Sequence, residues 1–391
     1  MPLSTVHIHH SDAGSSEAGQ VPPSSATSKT AILASPSRAI PGLDGLRGLS
    51  IFLVVVTHAR DTTGFPSHIP LYLTGLAGLG VQIFFVISGF LISRLLLVER
   101  SERGGIDVVA FYVRRSLRIL PAFVTFVVIM LLLRRMGELR FSNSHFLAAI
   151  TYTMNFVPDP SWTLGHIWSL SVEEQFYILW PAVLAYLSRI AGIRGAASVF
   201  LLSPVVMGTL HILHSPYATY CSGRWFPFVA DSIAVGCLLA FVPPGVLGSR
   251  YGRAALQSKA AWLLVPALYC IYSFRNHPRL YYPFGEWVVL LTIAYFVARA
   301  STYPIPLLQF KPLMGLGTLS YSLYLWQQPF LVPHGTRWFT WFPQNLLLAF
   351  AAAVLSHFVV ERPALSYRKH FRRHGLGVPS GSRVCQETAP T

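Results

Sequence analysis

The sequence of 391 residues is too apolar and too weakly charged for a soluble protein: hydrophobic residues make up 53% of it and charged residues only 12%, against about 25% charged residues in an average soluble domain. Apolar stretches long enough to cross a hydrocarbon core of about 30 Å recur along the chain and leave no room for a sizeable soluble domain. The net charge of +15 would suggest nucleic-acid binding in a soluble protein, but basic residues in a membrane protein serve orientation and phosphate contact, so we expect one membrane unit and no nucleic-acid partner.

The two ends of the chain differ in composition from the rest. Residues 1–39 are rich in Ser, Ala, Pro and His, and they lack the basic start and apolar core of a signal peptide. We predict disordered cytoplasmic tails at residues 1–39 and 371–391 around a membrane domain at residues 40–370. The four cysteines lie at neither CxxC nor metal-ligand spacing, so we expect no metal site and no disulfide framework.

Ten apolar segments predict an all-α fold, a polytopic integral membrane bundle of about ten transmembrane helices. They are residues 46–60, 79–98, 119–133, 167–187, 196–213, 226–243, 260–273, 284–300, 313–333 and 344–360. Residues 143–157 are an eleventh candidate, but this stretch is short and interrupted by polar residues, which favours a half-inserted or interfacial segment. We find no internal repeat of the kind that gives many transporters their inverted halves.

The basic residues predict that both termini are cytoplasmic. With ten spans and a cytoplasmic N-terminus, the cytoplasmic segments hold twenty Lys and Arg residues and the outer segments hold eight. This asymmetry follows the positive-inside rule. An eleventh span at residues 143–157 would move four arginines to the outside: Arg189, Arg194, Arg250 and Arg253.

The first apolar segment carries two ionisable residues, Arg47 and His58. Eleven positions apart on a helix, they share one face, but their backbones are about 16 Å apart and they cannot pair with each other. Ionisable side chains in a span usually face a cavity or a partner, which favours a functional role. The alternative is that Arg47 reaches to the lipid headgroups and His58 hydrogen-bonds a neighbouring carbonyl.

Two further clusters carry charged side chains. FYVRRSLRILPAF, residues 111–123, places Arg115 and Arg118 on one helix face at the cytoplasmic side. There they would bind either anionic lipid or the phosphates of a nucleotide-bearing donor. HIWSLSVEEQFYILWP, residues 166–181, places Glu173 in the outer third of its span, at a depth similar to that of His58. Glu173 could orient His58 as a base, or it could be a structural carboxylate that caps a helix start.

Other polar positions have simpler interpretations. In GLGVQIFFVISGFLIS, Gly80, Ser88 and Gly89 are small residues that favour close helix packing. In VVERPAL, Glu361 and Arg362 lie at the end of a span, where they most simply anchor the chain at the membrane interface. We assign no catalytic role to these positions.

Six segments, in this order, resemble the membrane acyltransferase 3 family: IPGLDGLRGLSIFLVVVTHA, FFVISGFLIS, FYVRRSLRILPAF, HIWSLSVEEQFYILWP, SYSLYLWQQP and ERP. The similarity extends over about residues 41–370. The resemblance implies a multi-pass enzyme of the inner (plasma) membrane that moves an acyl group, often acetyl, to a hydroxyl of a glycan or glycosylated molecule. It implies acyl-CoA as co-substrate and donor, no permanently bound cofactor, and membrane lipids and a glycan acceptor as partners.

The same likeness assigns roles to single residues. Arg47, Arg115 and Arg118 match positions that would bind the donor, and His58 and Glu173 match the positions that would be catalytic.

This chain departs from the family pattern at two positions. It has Trp326-Gln327 where many members have Trp-His, and Val229-Ala230-Asp231 where Arg-x-Asp is common. The resemblance therefore assigns no role to Gln327 or to Asp231.

We expect direct acyl transfer, with His58 as general base and Glu173 as its assistant. An acyl-enzyme through Ser88 or Ser171 is the alternative mechanism, but it lacks a nucleophile motif such as GxSxG. The alternative function is a transporter or flippase of an acylated or glycosylated lipid, and a third is a structural membrane partner. We also expect any second transfer step outside the cytoplasm to need a separate protein.

Overall fold

The computed structural model describes residues 40–66, 68, 76–190, 224, 226–276 and 281–366, and these residues form helices and turns without a β-strand. The helices of eight or more residues are α1 (Pro41–Ala59), α2 (Ala77–Arg103), α3 (Val108–Arg135), α4 (Asn143–Ile150), α5 (Ile167–Ile190), α6 (Phe226–Phe241), α7 (Arg250–Gln257), α8 (Leu264–Ser273), α9 (Glu286–Thr302), α10 (Lys311–Trp326) and α11 (Gln344–Ser356). Shorter helical turns are Met154–Phe156, Trp162–Gly165, Pro244–Gly248, Lys259–Leu263, Phe274–Asn276, Tyr281–Gly285, Pro306–Gln309, Trp338–Thr340 and His357–Glu361.

The helices are those of a multi-pass membrane protein. Four described segments are long and apolar enough to cross a membrane, and α7 with Lys259–Ser273, bent by 45°, would add a fifth as one broken span. The four are Gly42–Ala59, Ala77–Arg103, Val108–Arg135 and Gln344–Ser366. Nine of the ten predicted spans overlap helices of the structure, and the other one, residues 196–213, lies outside the described residues, as do the predicted tails. The all-α membrane architecture is confirmed, whereas the count of ten spans stays a prediction.

Residues 143–157 do not form a membrane-crossing helix. They fold into the eight-residue helix α4 and the turn Met154–Phe156. At about 1.5 Å per residue, eight residues extend about 12 Å, well short of a hydrocarbon core of about 30 Å. This geometry agrees with the predicted half-inserted or interfacial segment.

Helix α3 presents an apolar stripe to its surroundings. Leu120, Val124, Val128 and Leu132 recur every fourth residue and are exposed, with 40–56% of each residue accessible. Residues at this spacing lie on one side of a helix. A continuous exposed apolar stripe on a long helix is the surface that lipid tails would cover.

Glycines bring α1 and α10 into backbone contact. A Cβ atom added to Gly48 would lie 2.0 Å from the carbonyl oxygen of Leu313, and one added to Gly317 would lie 1.8 Å from that of Asp44. Any larger residue would therefore force these helices apart. A Cβ on Gly89 of α2 would likewise lie 2.1 Å from the carbonyl oxygen of Ile233 in α6, which confirms the predicted packing role of Gly89.

Helix α1 lies at the centre of the described bundle. Its residue Ile51 belongs to an apolar core that also contains Phe126, Trp180 and Leu325, whereas Leu43 belongs to a second core shared with α2, α6, α8 and α9. Because α1 contributes to both cores, its ionisable residues lie among other helices and need partners there.

Candidate active site

The first group of charged side chains surrounds Arg47 near the start of α1. Arg47 interacts electrostatically with Arg115 of α3 and with Glu173 of α5. The carboxylate of Glu173 accepts a hydrogen bond of 2.7 Å from the hydroxyl of Ser88, and that hydroxyl accepts one of 3.1 Å from Tyr177. The structure thus brings together three of the predicted site residues, from three different helices.

Arg115 is held between aromatic and acidic side chains. Its guanidinium carbon lies 3.8 Å from the centroid of the Tyr177 ring, which is a cation–π contact. Both Glu173 and Glu174 interact with Arg115 electrostatically. Adjacent helical residues point about 100° apart, yet both carboxylates lie close enough to Arg115 to interact with it. Sequence reasoning left Glu174 without a role.

The other arginines of this stretch have different surroundings. Arg114 forms an ion pair with Glu99, with 3.0 Å between Nη2 and Oε2. Arg118 is exposed and interacts electrostatically with Asp44 of α1. Arg115 and Arg118, the pair that the spacing predicts, are the two arginines of this stretch that interact with residues of α1, namely Arg47 and Asp44.

The second group surrounds His58 at the other end of α1. The Nδ1 atom of His58 lies 3.2 Å from Oε1 of Gln327, and its ring packs edge-on against Trp162 with 5.4 Å between ring centroids. The amide nitrogen of Gln327 donates to the carbonyl oxygen of Tyr324, at 3.4 Å, so the amide oxygen faces the histidine. An acceptor at this place puts the imidazole proton on Nδ1 and the lone pair on Nε2.

A second histidine lies beside His58 and is held in the same manner. The Nδ1 atom of His166 lies 3.1 Å from Oε1 of Gln328, and His166 interacts electrostatically with His58. Trp162 donates its indole N–H to the backbone oxygen of Gln328, at 3.1 Å. Two consecutive glutamines thus position two histidines. Sequence reasoning missed this, although His166 begins the HIWSLSVEEQFY motif.

Glu173 lies away from His58, contrary to the expected pairing. His166 is beside His58, and Glu173 follows seven residues later, which is about 10 Å further along helix α5. At that depth Glu173 meets Arg47 instead. The described hydrogen bond of His58 goes to Gln327, so the position expected for Glu173 is occupied by a residue to which the resemblance assigned no role.

Glu361 is not an interface anchor, because it lies inside the protein. It is 7% exposed, it accepts a hydrogen bond from Ser322, and its Oε2 lies 3.0 Å from Nδ1 of His357. The helical segment continues to residue 366, which keeps position 361 within the bundle. Arg362 is exposed, and its guanidinium lies 5.6 Å from the centroid of the Phe358 ring.

Asp231 is buried and separate from both groups. Its carboxylate accepts a hydrogen bond of 2.6 Å from the backbone N–H of Ser232 and interacts electrostatically with Glu286 of α9. Within the described ranges, no group of three or more His, Cys, Asp or Glu side chains is arranged to hold a metal ion.

The arrangement fits what comparison with known proteins finds. Residues 40–361 match the family model described as an acyltransferase domain. The O-acetyltransferase OatA of Staphylococcus aureus (strain NCTC 8325 / PS 47) is 30% identical over 325 residues, which cover 75% of this chain and 51% of the relative. The peptidoglycan O-acetyltransferase OatA of Listeria monocytogenes serovar 1/2a is 27% identical over 322 residues, which cover 75% of this chain and 49% of the relative.

The chain therefore spans about half the length of the relatives it matches. The comparison with solved structures finds no match. The family model nevertheless covers most of the chain, from the residue before α1 to Glu361. It includes Arg47, His58, Arg115 and Glu173, so both groups of the candidate site lie within it. The chain belongs to the membrane acyltransferase 3 family.

Proposed function

We propose that this protein is an integral membrane O-acyltransferase that moves an acyl group, with acetyl as the expected one, from acyl-CoA to a hydroxyl of a carbohydrate or glycosylated acceptor. One observation carries the proposal. The same helix, α1, holds a cationic group at one end and a histidine with an available Nε2 at the other. A donor with phosphates and a distant thioester needs both kinds of side chain.

The cationic group is suited to the donor. Arg118 is exposed, and Arg115 and Arg47 lie deeper beside Glu173. Arginine binds phosphate through charge-assisted hydrogen bonds. A buried cation is costly without a partner, so we assign to Glu173 the role of holding Arg47 and Arg115 in place for the donor. This replaces its expected role as assistant of His58.

The histidine is suited to the acceptor. Arg47 and His58 are about 16 Å apart along α1, an interval that the flexible pantetheine arm of the donor would cross. His58 Nε2 would take the proton of the acceptor hydroxyl while its oxygen attacks the thioester carbonyl. The new C–O bond forms, the C–S bond breaks, and the sulfur leaves as coenzyme A after it is protonated.

The proposal assigns the two ends of α1 to the two sides of the membrane. The cytoplasmic end would face the acyl-CoA pool, and His58 would lie near the outer side of the inner (plasma) membrane, with both termini cytoplasmic. This orientation is the one that the distribution of basic residues predicts. The relatives named as O-acetyltransferases support the acetyl group, and the relative named for peptidoglycan supports a glycan acceptor.

The decisive experiment follows the thiol and the product together. Purified full-length protein in detergent is mixed with acetyl-CoA and a glycan acceptor. Free thiol is measured with a chromogenic reagent, and the mass of the acceptor is measured by mass spectrometry. We expect thiol release that depends on acceptor, and an acceptor heavier by one acetyl group. A protein that binds or moves an acylated lipid but releases no thiol would be a transporter, and the proposal would be wrong.

A further inference from the structure

A shallow cleft of about 640 Å³, wide open to its surroundings, lies between the end of α3 and the start of α4. Its polar lining consists of Arg134, Arg140, Ser142, His145 and Ser161, and none of its lining residues is acidic. A concave surface with two arginines and no carboxylate is a site for an anion. Neither the family resemblance nor the proposed donor site accounts for it, because it lies at the opposite end of α3 from Arg115 and Arg118.

Arg134 is held in place by its neighbours. Its guanidinium donates a hydrogen bond of 2.8 Å to the side-chain oxygen of Asn143, and it lies 5.1 Å from the centroid of the Phe141 ring. The nearby carboxylate of Glu138 forms an ion pair with Arg337. Because Glu138 is engaged there, it does not neutralise the cleft, and the arginine is oriented before a ligand arrives.

The cleft adjoins the surroundings of His58. The backbone N–H of Ser161, a lining residue, donates to Nδ1 of His145, at 3.4 Å. The next residue, Trp162, packs against the ring of His58. Consecutive Cα atoms are about 3.8 Å apart, so the residue that lines the cleft and the residue that packs against the proposed base are direct neighbours along the chain.

We propose that this cleft binds an anionic group of the acceptor, a carboxylate or phosphate carried by the glycan, and thereby places a neighbouring hydroxyl at His58. The inference rests on the proposed function and narrows its acceptor to anionic glycans. An anionic lipid headgroup has the same chemistry. We favour the glycan because a lining residue of the cleft, Ser161, directly precedes the Trp162 that packs against His58, whereas lipid anchoring needs no such proximity to the base.

Direct binding tests the cleft without requiring turnover. The full chain in nanodiscs of zwitterionic lipid is titrated with a short oligosaccharide of galacturonic acid and, separately, with its methyl ester, which lacks the charge. We expect the charged sugar to bind at least about 10-fold more tightly, and Arg140→Gln to abolish most of that difference. Arg135→Gln is the matched control, since Arg135 is an exposed arginine at the same helix end that lines a neighbouring cavity instead.

The inference would be overturned by equal binding of charged and uncharged sugar, by an Arg140→Gln protein that keeps the preference, or by an equal loss in Arg135→Gln. A further set of measurements adds anionic lipid to the nanodiscs. If anionic lipid displaces the charged and the uncharged sugar equally, the cleft binds lipid headgroups, and the inference of a glycan site is also overturned. Acyl transfer is measured in parallel. Charge-selective binding without any thiol release would support the cleft as an anion-binding site but would refute the proposed acyltransferase function.

Discussion

The Nδ1 atom of His58 lies 3.2 Å from the amide oxygen of Gln327, although the two residues are 269 positions apart in the sequence. The contact connects α1 to the end of α10. An amide oxygen can only accept, so it selects the imidazole tautomer with its proton on Nδ1. In this chain a glutamine thus stands beside His58 where a carboxylate was expected.

Replacing Gln327 by Leu should lower kcat and leave the KM for acyl-CoA unchanged. The hydrogen bond that orients His58 is lost, which costs about 1 to 2 kcal/mol of transition-state stabilisation, or roughly 5- to 30-fold in rate. Steady-state kinetics with both substrates varied would measure the split. Gln327→Glu, which keeps an acceptor oxygen at the same place, should recover much of the rate. An effect confined to KM, without loss of kcat, would contradict this positioning role.

Arg47→Ala and His58→Ala should fail in different ways. Loss of Arg47 should mainly weaken donor binding, whereas loss of His58 should lower turnover by about 10²- to 10⁴-fold, the usual contribution of a general base. Equilibrium binding of a non-transferable acyl-CoA analogue would separate the two variants. If folded His58→Ala protein loses donor binding together with turnover, His58 is structural and not the base.

Arg115→Ala should raise the apparent KM for acyl-CoA. Removing a charged hydrogen bond costs about 1.5 to 3 kcal/mol, which corresponds to roughly 10- to 150-fold. The neighbouring variant Arg114→Ala is the control, because Arg114 is engaged by Glu99 and should leave the KM unchanged. Equal effects in both variants, or none in Arg115→Ala, would favour lipid binding by this stretch.

Glu173→Gln should affect donor affinity and stability and leave the proton transfer at His58 intact. The substitution keeps an oxygen for the Ser88 hydroxyl and removes the charge beside Arg47 and Arg115. Leaving buried cations without their counter-charge is destabilising. We expect a lower Tm in detergent and a higher KM for acyl-CoA. The double variant with Arg115→Ala should be less damaging than the sum of the two single changes.

A full additive effect of Glu173→Gln and Arg115→Ala would mean that the two side chains act independently. A loss of kcat alone, with Tm and donor KM unchanged, would restore the expected assistance of His58 by Glu173. The combination with Gln327→Leu is a useful second control, because that residue belongs to the other group and its effect should add.

Both termini should lie in the cytoplasm. The excess of Lys and Arg in the segments assigned to that side is the basis of this expectation. A C-terminal reporter that is active only outside the membrane should stay silent in intact cells, whereas one that is active in the cytoplasm should respond. The opposite pair of results would place the C-terminus outside and overturn this orientation; with a cytoplasmic N-terminus it would require an odd number of spans.

The sequence predicts much of this site because several of its signals are local. Arg115 and Arg118 share a helix face by spacing alone, and the separation of Arg47 from His58 follows from helix geometry. The pairing of His58 with Gln327 is not local. It depends on how far α10 is displaced along α1, and that displacement is set by glycine contacts such as that of Gly317 with Asp44.

The relative depth of Glu173 and His58 is not a local property of the sequence either. The prediction placed Glu173 in the outer third of its span, at a depth similar to that of His58. The structure places His166, directly before α5, beside His58, and Glu173 is then two helical turns further in. Span boundaries read from hydropathy do not give the relative levels of two helices, because packing between side chains decides them.

The glycine contact between α1 and α10 has a mechanical consequence. Where two backbones touch, one helix cannot slide or roll past the other without steric overlap. We therefore expect α1 and α10 to move as one rigid unit that carries both His58 and Gln327. Any opening that admits a substrate should then come from elements outside this seam, such as the turn Trp162–Gly165, whose Trp162 packs against His58. The base keeps its alignment while its surroundings move.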